Sequence, residues 1–159
     1  MLISIERCGL CGSRRYLNMA GKDITEYTTK IDYLFLEREN TLGLGDGGNE
    51  IGMGNSAQHI PGVDTLPDDP ARTTVSKLVI ASVSNWAGYG LVAALSRLSD
   101  HNPLPSVEWE KEIISGIVVK GAVDSVSAER KCAVDNVDLE QNAWALLQLH
   151  KLLNADMTP

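Results

Sequence analysis

The chain predicts an α/β fold, a mainly parallel sheet flanked by helices in an open three-layer architecture, and three observations carry that expectation. The strand candidates are continuously apolar rather than alternating, as in TLGLG (Thr41–Gly45) and KLVIASV (residues 77–83), which suits strands covered on both faces. Each of them runs into a polar turn and then a glycine-bearing helix candidate, the arrangement of parallel βαβ units. With 159 residues, 43% of them hydrophobic, the chain can bury one substantial core, so residues 1–159 read as a single domain.

Taken in order, LISIE (residues 2–6) is a strand and residues 8–15 form a glycine-rich loop. Residues 31–39, IDYLFLERE, read as an amphipathic helix leading into the TLGLG strand. GDGGNEIGMG (residues 45–54) follows, with five glycines around an acid, an amide and a second acid. It predicts a turn entering a helix with Asp46 at the N-cap, and glycines at 45, 47 and 48 free to take φ > 0. Residues 55–74 hold three of the six prolines and no apolar period, so they read as an excursion across the surface. After the strand at 77–83, Ser84 and Asn85 make a polar turn and a helix opens at Trp86. Residues 100–106 are a turn with two prolines, and residues 107–120 and 139–153 are helices by their apolar spacing, the second N-capped by Asp138.

Charge narrows the function. A formal charge of −7 and a pI near 4.9 argue against a nucleic-acid partner, and Arg14 and Arg15 are a pair rather than a basic patch. The apolar run at 78–83 is too short to span a bilayer, and the start lacks the layout of a signal peptide. A cytoplasmic protein is expected, or a mitochondrial-matrix one should the native chain be longer at its N-terminus. Three cysteines, an odd number, suit a reducing compartment. Cys8 and Cys11 form a CxxC, but with Cys132 they fall short of a tetrahedral zinc set and read as surface or loop cysteines. His59, His101 and His150 belong to no triad. Trp109 and Trp144 fall at helical positions and read as core or half-buried packing, whereas Trp86 either walls a pocket or packs in the core.

The chemistry concentrates in the glycine-rich decapeptide. Asp46, Asn49 and Glu50, at i, i+3 and i+4, share one face of the expected helical turn. The plain reading makes Asp46 a cap and Glu50 an acid suited to a helix N-terminus, with Ser84 and Asn85 as turn residues. The same three side chains are hard oxygen donors of the kind that hold magnesium or manganese. Gly43, Gly45 and Gly48 also satisfy GxGxxG, yet Asp46 would set a carboxylate beside a dinucleotide's pyrophosphate.

IER (residues 5–7), YLNMAGKDI (16–24), GDGGNEIGMG, SVSNWAGYGL (82–91) and GAVDSV (121–126) occur in an order that resembles the D-glutamate cyclase family. The resemblance implies a lyase that converts D-glutamate to 5-oxo-D-proline and water by intramolecular amide formation. Such a site needs a base for the amine and an acid or donor for the γ-carboxylate, and Asp46 and Glu50 supply the pair. Arg7, or the amides of Gly47 and Gly48, would take the α-carboxylate, while Asn49, Ser84 and Asn85 orient the substrate. No cofactor is required on this reading, and magnesium or manganese is the alternative on Asp46, Asn49 and Glu50. The chain departs from the family at Cys8 and Cys11, and at Ser125 and Asn136, where glycines are expected. It also opens where the family domain is already under way, so a C-terminal portion of that domain is expected, with an edge strand left to pair with a second copy or a missing N-terminal segment. The competing functions are an inactive half-domain that binds a small amino acid or a partner chain, and a nucleotide-dependent oxidoreductase.

Overall fold

The computed structural model describes residues 1–99 and 101–155. Asp100, the start of the expected proline turn, lies outside them. The chain divides into two compact units, Met1–Ala87 and Gly88–Pro159. The fold is open α/β: the first unit holds a three-stranded parallel sheet, and three α-helices follow it in the chain.

In the first unit β1 (Leu2–Ile5), β2 (Thr41–Gly45) and β3 (Lys77–Ile80) lie side by side in the order β1-β2-β3, with Ile3 beside Leu42 and Leu42 beside Lys77. β2 is buried at every residue, as its unbroken apolar run predicts. β3 is not: it is four residues long and largely exposed, so the expectation of a sheet covered on both faces fails at this edge. The centre of β2 must be small, because a Cβ on Gly43 would lie 2.5 Å from the carbonyl oxygen of Ile51. That closeness lets Phe35, Ile51 and Val75 cluster, with Leu2, Ile31 and Leu78 against them. Met53, Ile60 and Ala71 form a second cluster.

The helix expected at 31–39 is absent. A 3-10 turn covers Ile31–Leu34, and Glu37 and Asn40 take φ of 56° and 58°, which no α-helix continues. The cause is tertiary. Asp32 turns inward, 2% exposed, and accepts hydrogen bonds from the hydroxyl of fully buried Tyr16 (2.5 Å), from the Leu10 amide (3.3 Å) and from the Thr73 hydroxyl (3.4 Å). The apolar Tyr33, Leu34 and Leu36 face outward instead. The surface excursion at 55–74 is also only partly that. Its last residues enter the core, with Ala71 and Thr73 buried and the Thr73 carbonyl accepting from the amides of Gly52 and Gly54.

In the second unit α2 (Val107–Val119) and α3 (Leu139–Ala155) match their expected spans closely. Here α1 (Ser84–Arg97), which begins in the first unit, contributes Tyr89, Val92 and Ala93 to a cluster with Leu104, Leu146 and Leu153. Asp138 caps α3, accepting from the Gln141 amide at 2.8 Å, and Ser106 caps α2, accepting from the Trp109 amide at 3.2 Å. β4 (Ala133–Val134) and β5 (Val137–Asp138) form an antiparallel hairpin whose turn residues Asp135 and Asn136 both have positive φ. Asparagine tolerates that conformation, so it can stand at 136 where the family is expected to have glycine. Trp109 and Trp144, expected in or near the core, are 57% and 62% exposed. The helical period that placed them does not say which face is covered. Among the described residues no helix is long and apolar enough to cross a membrane.

Candidate active site in the glycine-rich loop

The loop at 45–54 forms no α-helix. Gly48 and Gly52 adopt φ of +81° and +107°, and the chain makes one 3-10 turn at Met53–Ser56. Helix loses because residues 49–51 pair with the segment after β1. The Gly9 amide donates to the Asn49 carbonyl and the Ile51 amide to the Arg7 carbonyl, with Cys8 opposite Glu50 as an antiparallel bridge. Of the three glycines expected at φ > 0, Gly45 and Gly47 do not need it. They are small because Glu50 folds over them: a Cβ on Gly45 or Gly47 would lie 3.0 Å from Glu50 side-chain atoms. The loop is thus shaped around its own acid.

Glu50 is 2% exposed. Its Oε1 accepts hydrogen bonds from the amides of Gly47 (2.7 Å) and Asp46 (3.3 Å), and its Oε2 is buried with no partner. Burial raises the Glu50 carboxyl above the ordinary carboxylate range. The Gly47 amide works against that rise and the Asp46 side chain adds to it. Asp46 is only half-buried, and its Oδ2 accepts from the Ser84 amide at 2.8 Å. So Asp46 is an N-cap, but of α1, 38 residues away. The helix begins at Ser84 rather than Trp86, which places Ser84 and Asn85 in its first turn. Asp46 follows β2 and Ser84 follows β3, so the carboxyl ends of two neighbouring parallel strands deliver both motifs to one spot. Ser84 is fully buried, and its Oγ, like Glu50 Oε2, has no partner; Asn85 is half-buried.

The other candidates are more committed. The Asn49 side-chain amide donates to the Leu17 carbonyl at 2.9 Å, tying the loop to the YLNMAGKDI segment. Arg7 donates from Nη2 to the Thr29 carbonyl at 2.9 Å and keeps a buried Nε without a partner. The Gly47 amide, offered to an anionic substrate group by the sequence, is held by Glu50. Cys8 and Cys11 are buried, 7% and 4% exposed, not surface residues. Burial pushes the Cys8 thiol up to about 11, against the Asn49 hydrogen bond and the Arg7 charge, so it stays a protonated, packed thiol. Each lies in a bridge, Cys8 to Glu50 and Cys11 to Ala71, which a lone-loop reading of CxxC could not reveal.

A cleft of about 410 Å³ runs beside the loop, walled by Leu17, Met19, Leu66 and Pro67 with Asp64 and Asp68 on its rim. Met19 and Pro67 also abut Gly47 and Gly48, so the cleft borders the loop directly. Nothing in the sequence marked it, since its walls come from two segments that lack any period. The GAVD motif has a different job. Asp124 is buried in the second unit and accepts from the amide and hydroxyl of Ser127 (2.8 and 2.7 Å) and from the Asn136 amide (2.8 Å), pinning the β4–β5 turn. Burial opposes its ionisation, yet these donors hold its carboxyl below the ordinary range.

The model of a family described as D-glutamate cyclase-like, C-terminal, matches residues 1–150, and the chain belongs to that family. The human protein D-glutamate cyclase, mitochondrial, is 38% identical over 103 residues, an alignment that covers 59% of this chain and 16% of the human protein.

Proposed function

We propose, from membership in this family, that the chain is a D-glutamate cyclase-like lyase that closes D-glutamate to 5-oxo-D-proline with loss of water. The observation that carries the reading is the carboxyl pair in the glycine-rich loop: a half-buried Asp46 beside a buried Glu50 whose carboxyl is biased toward its protonated form. The reaction moves two protons from the substrate ammonium to one γ-carboxylate oxygen, which leaves as water while the C–N bond forms. It therefore asks for one group that takes a proton and one that holds one, and two acids in unlike environments meet that need. Asp46 is the base, since it is the less buried of the two acids and lies beside the first turn of α1. Glu50 is the acid behind it. Ser84 and Asn85, at the start of α1, orient the substrate, and because amine and carboxylate belong to one molecule, holding the folded conformer is itself a large part of the rate enhancement.

Magnesium or manganese is not needed on this reading. Asn49 is held through its side-chain nitrogen to the Leu17 carbonyl and Glu50 through its Oε1 to two backbone amides, and the carboxyl pair by itself supplies the acid and the base. Nor does the loop suit a dinucleotide, whose fingerprint needs a helix opening directly from the glycines and a free amide at Gly47. Incubation with D-glutamate, following 5-oxoproline by chromatography with and without a chelator, tests the proposal. Turnover that survives chelation is expected. No turnover with or without added magnesium or manganese would instead favour a half-domain that only binds an amino acid or a partner.

A further inference from the structure

We propose that α2 is a self-association surface, through which two copies of this chain pair with their α2 helices antiparallel. Trp109, Ile113 and Ile117 recur every fourth residue and so lie on one stripe of the helix, where they are 57%, 43% and 50% exposed. A run of three large apolar side chains along one helix face is a patch that calls for a covering partner. Gly116, three residues after Ile113, is exposed on the same stripe, and a Cβ added there would meet nothing within 4 Å. The stripe is therefore bulky in its first half and notched in its second. Antiparallel pairing sets Ile113 of each copy against the Gly116 notch of the other, and brings Trp109 over the Lys120 side chain of the second copy, a cation–π contact. Parallel pairing would set bulk against bulk.

Charge selects the same direction. Glu108 and Glu112 lie in the first half of α2, whereas Lys120 is its C-cap and Arg130 donates from Nε to the Val118 carbonyl at 2.8 Å. Only the antiparallel arrangement lays an acidic end on a basic end, and it opposes the helix dipoles as well. Three side chains cover less than the ~800 Å² per partner of a standard interface, so the pairing is weak and reversible. It uses no residue of the glycine-rich loop and stands or falls apart from the catalytic proposal.

Sedimentation velocity over a concentration series reads it. The average sedimentation coefficient of the unaltered chain should rise with concentration. Ile113→Glu should stay monomeric throughout, with an unchanged circular dichroism spectrum because Ile113 already contacts water. Glu112→Lys should weaken association, and Lys120→Glu added to it should restore association in part, the charge pairing returning while the cation–π contact is lost. A chain that stays monomeric at every concentration, as it would if this stripe serves another protein, overturns the proposal, as does an Ile113→Glu variant that associates like the original. A double variant no better than Glu112→Lys overturns the antiparallel orientation.

Discussion

The two units solve the same problem, how to satisfy buried backbone and side-chain polar groups, by opposite means. In the second unit the helix starts are satisfied locally, by caps three residues from their targets at Ser106 and Asp138, and the helices' apolar residues meet at Leu104, Leu146 and Leu153, while Asp124 reaches Asn136 across 12 residues. In the first unit the solution is remote. Asp32 serves Tyr16, Leu10 and Thr73, Asp46 serves Ser84, and Asn49 serves Leu17, at separations of 16 to 41 residues. A region knit by such long-range polar contacts holds short strands and tight turns in place without a complete α-helix of its own, and it leaves Glu50 Oε2 and Ser84 Oγ buried without partners. The helical unit buries Glu110 and Asp124 as well, and presents an outward apolar stripe on α2.

The comparison is broken most decisively at Asp46. If the polar ties of the first unit are also its chemistry, Asp46→Asn should lower turnover of D-glutamate by about 10²–10⁴-fold while leaving the melting temperature nearly unchanged, because asparagine still caps α1. Full activity in that variant would reduce the loop to a structural device.

Next in size is a pair of stability changes. Asp32→Ala removes the acceptor for three donors and strands the buried Tyr16 hydroxyl, so it should cost about 3 kcal/mol in denaturant unfolding. Asp138→Ala, which removes a local cap from the helical unit, should cost only about 1 kcal/mol. Equal losses would mean that the remote network is no more demanding than a cap.

The smallest effect is on pH dependence. The folded-state pKa of Glu50 is raised above its unfolded value of 4.5, so between the two the native chain binds more protons than the unfolded one. The stability this group contributes is present below pH 4.5 and is lost as pH rises through the folded value. Glu50→Gln should remove that loss, so thermal melts of variant and original should diverge as pH rises from 4.5 toward neutrality. Parallel curves would show that Glu50 ionises freely in the fold.

Local pattern was enough for the elements whose cause is local. The unbroken TLGLG run announces a buried strand, and the apolar spacing announces α2 and, with a capping aspartate, α3. The composition of the glycine-rich loop, two acids, an amide and five glycines together, sets it apart from the strands and helices around it. What those residues do was settled by neighbours far away in the chain. Ile31–Leu34 stops at a 3-10 turn because Asp32 is drawn into the core by Tyr16, and the loop abandons a helix because its backbone has a better partner in residues 7–9. Asp46 caps a helix 38 residues on because β2 and β3 end side by side. Trp109 and Trp144 face water for the same reason: a helical period tells which side chains share a face, and only packing against another element tells whether that face is covered.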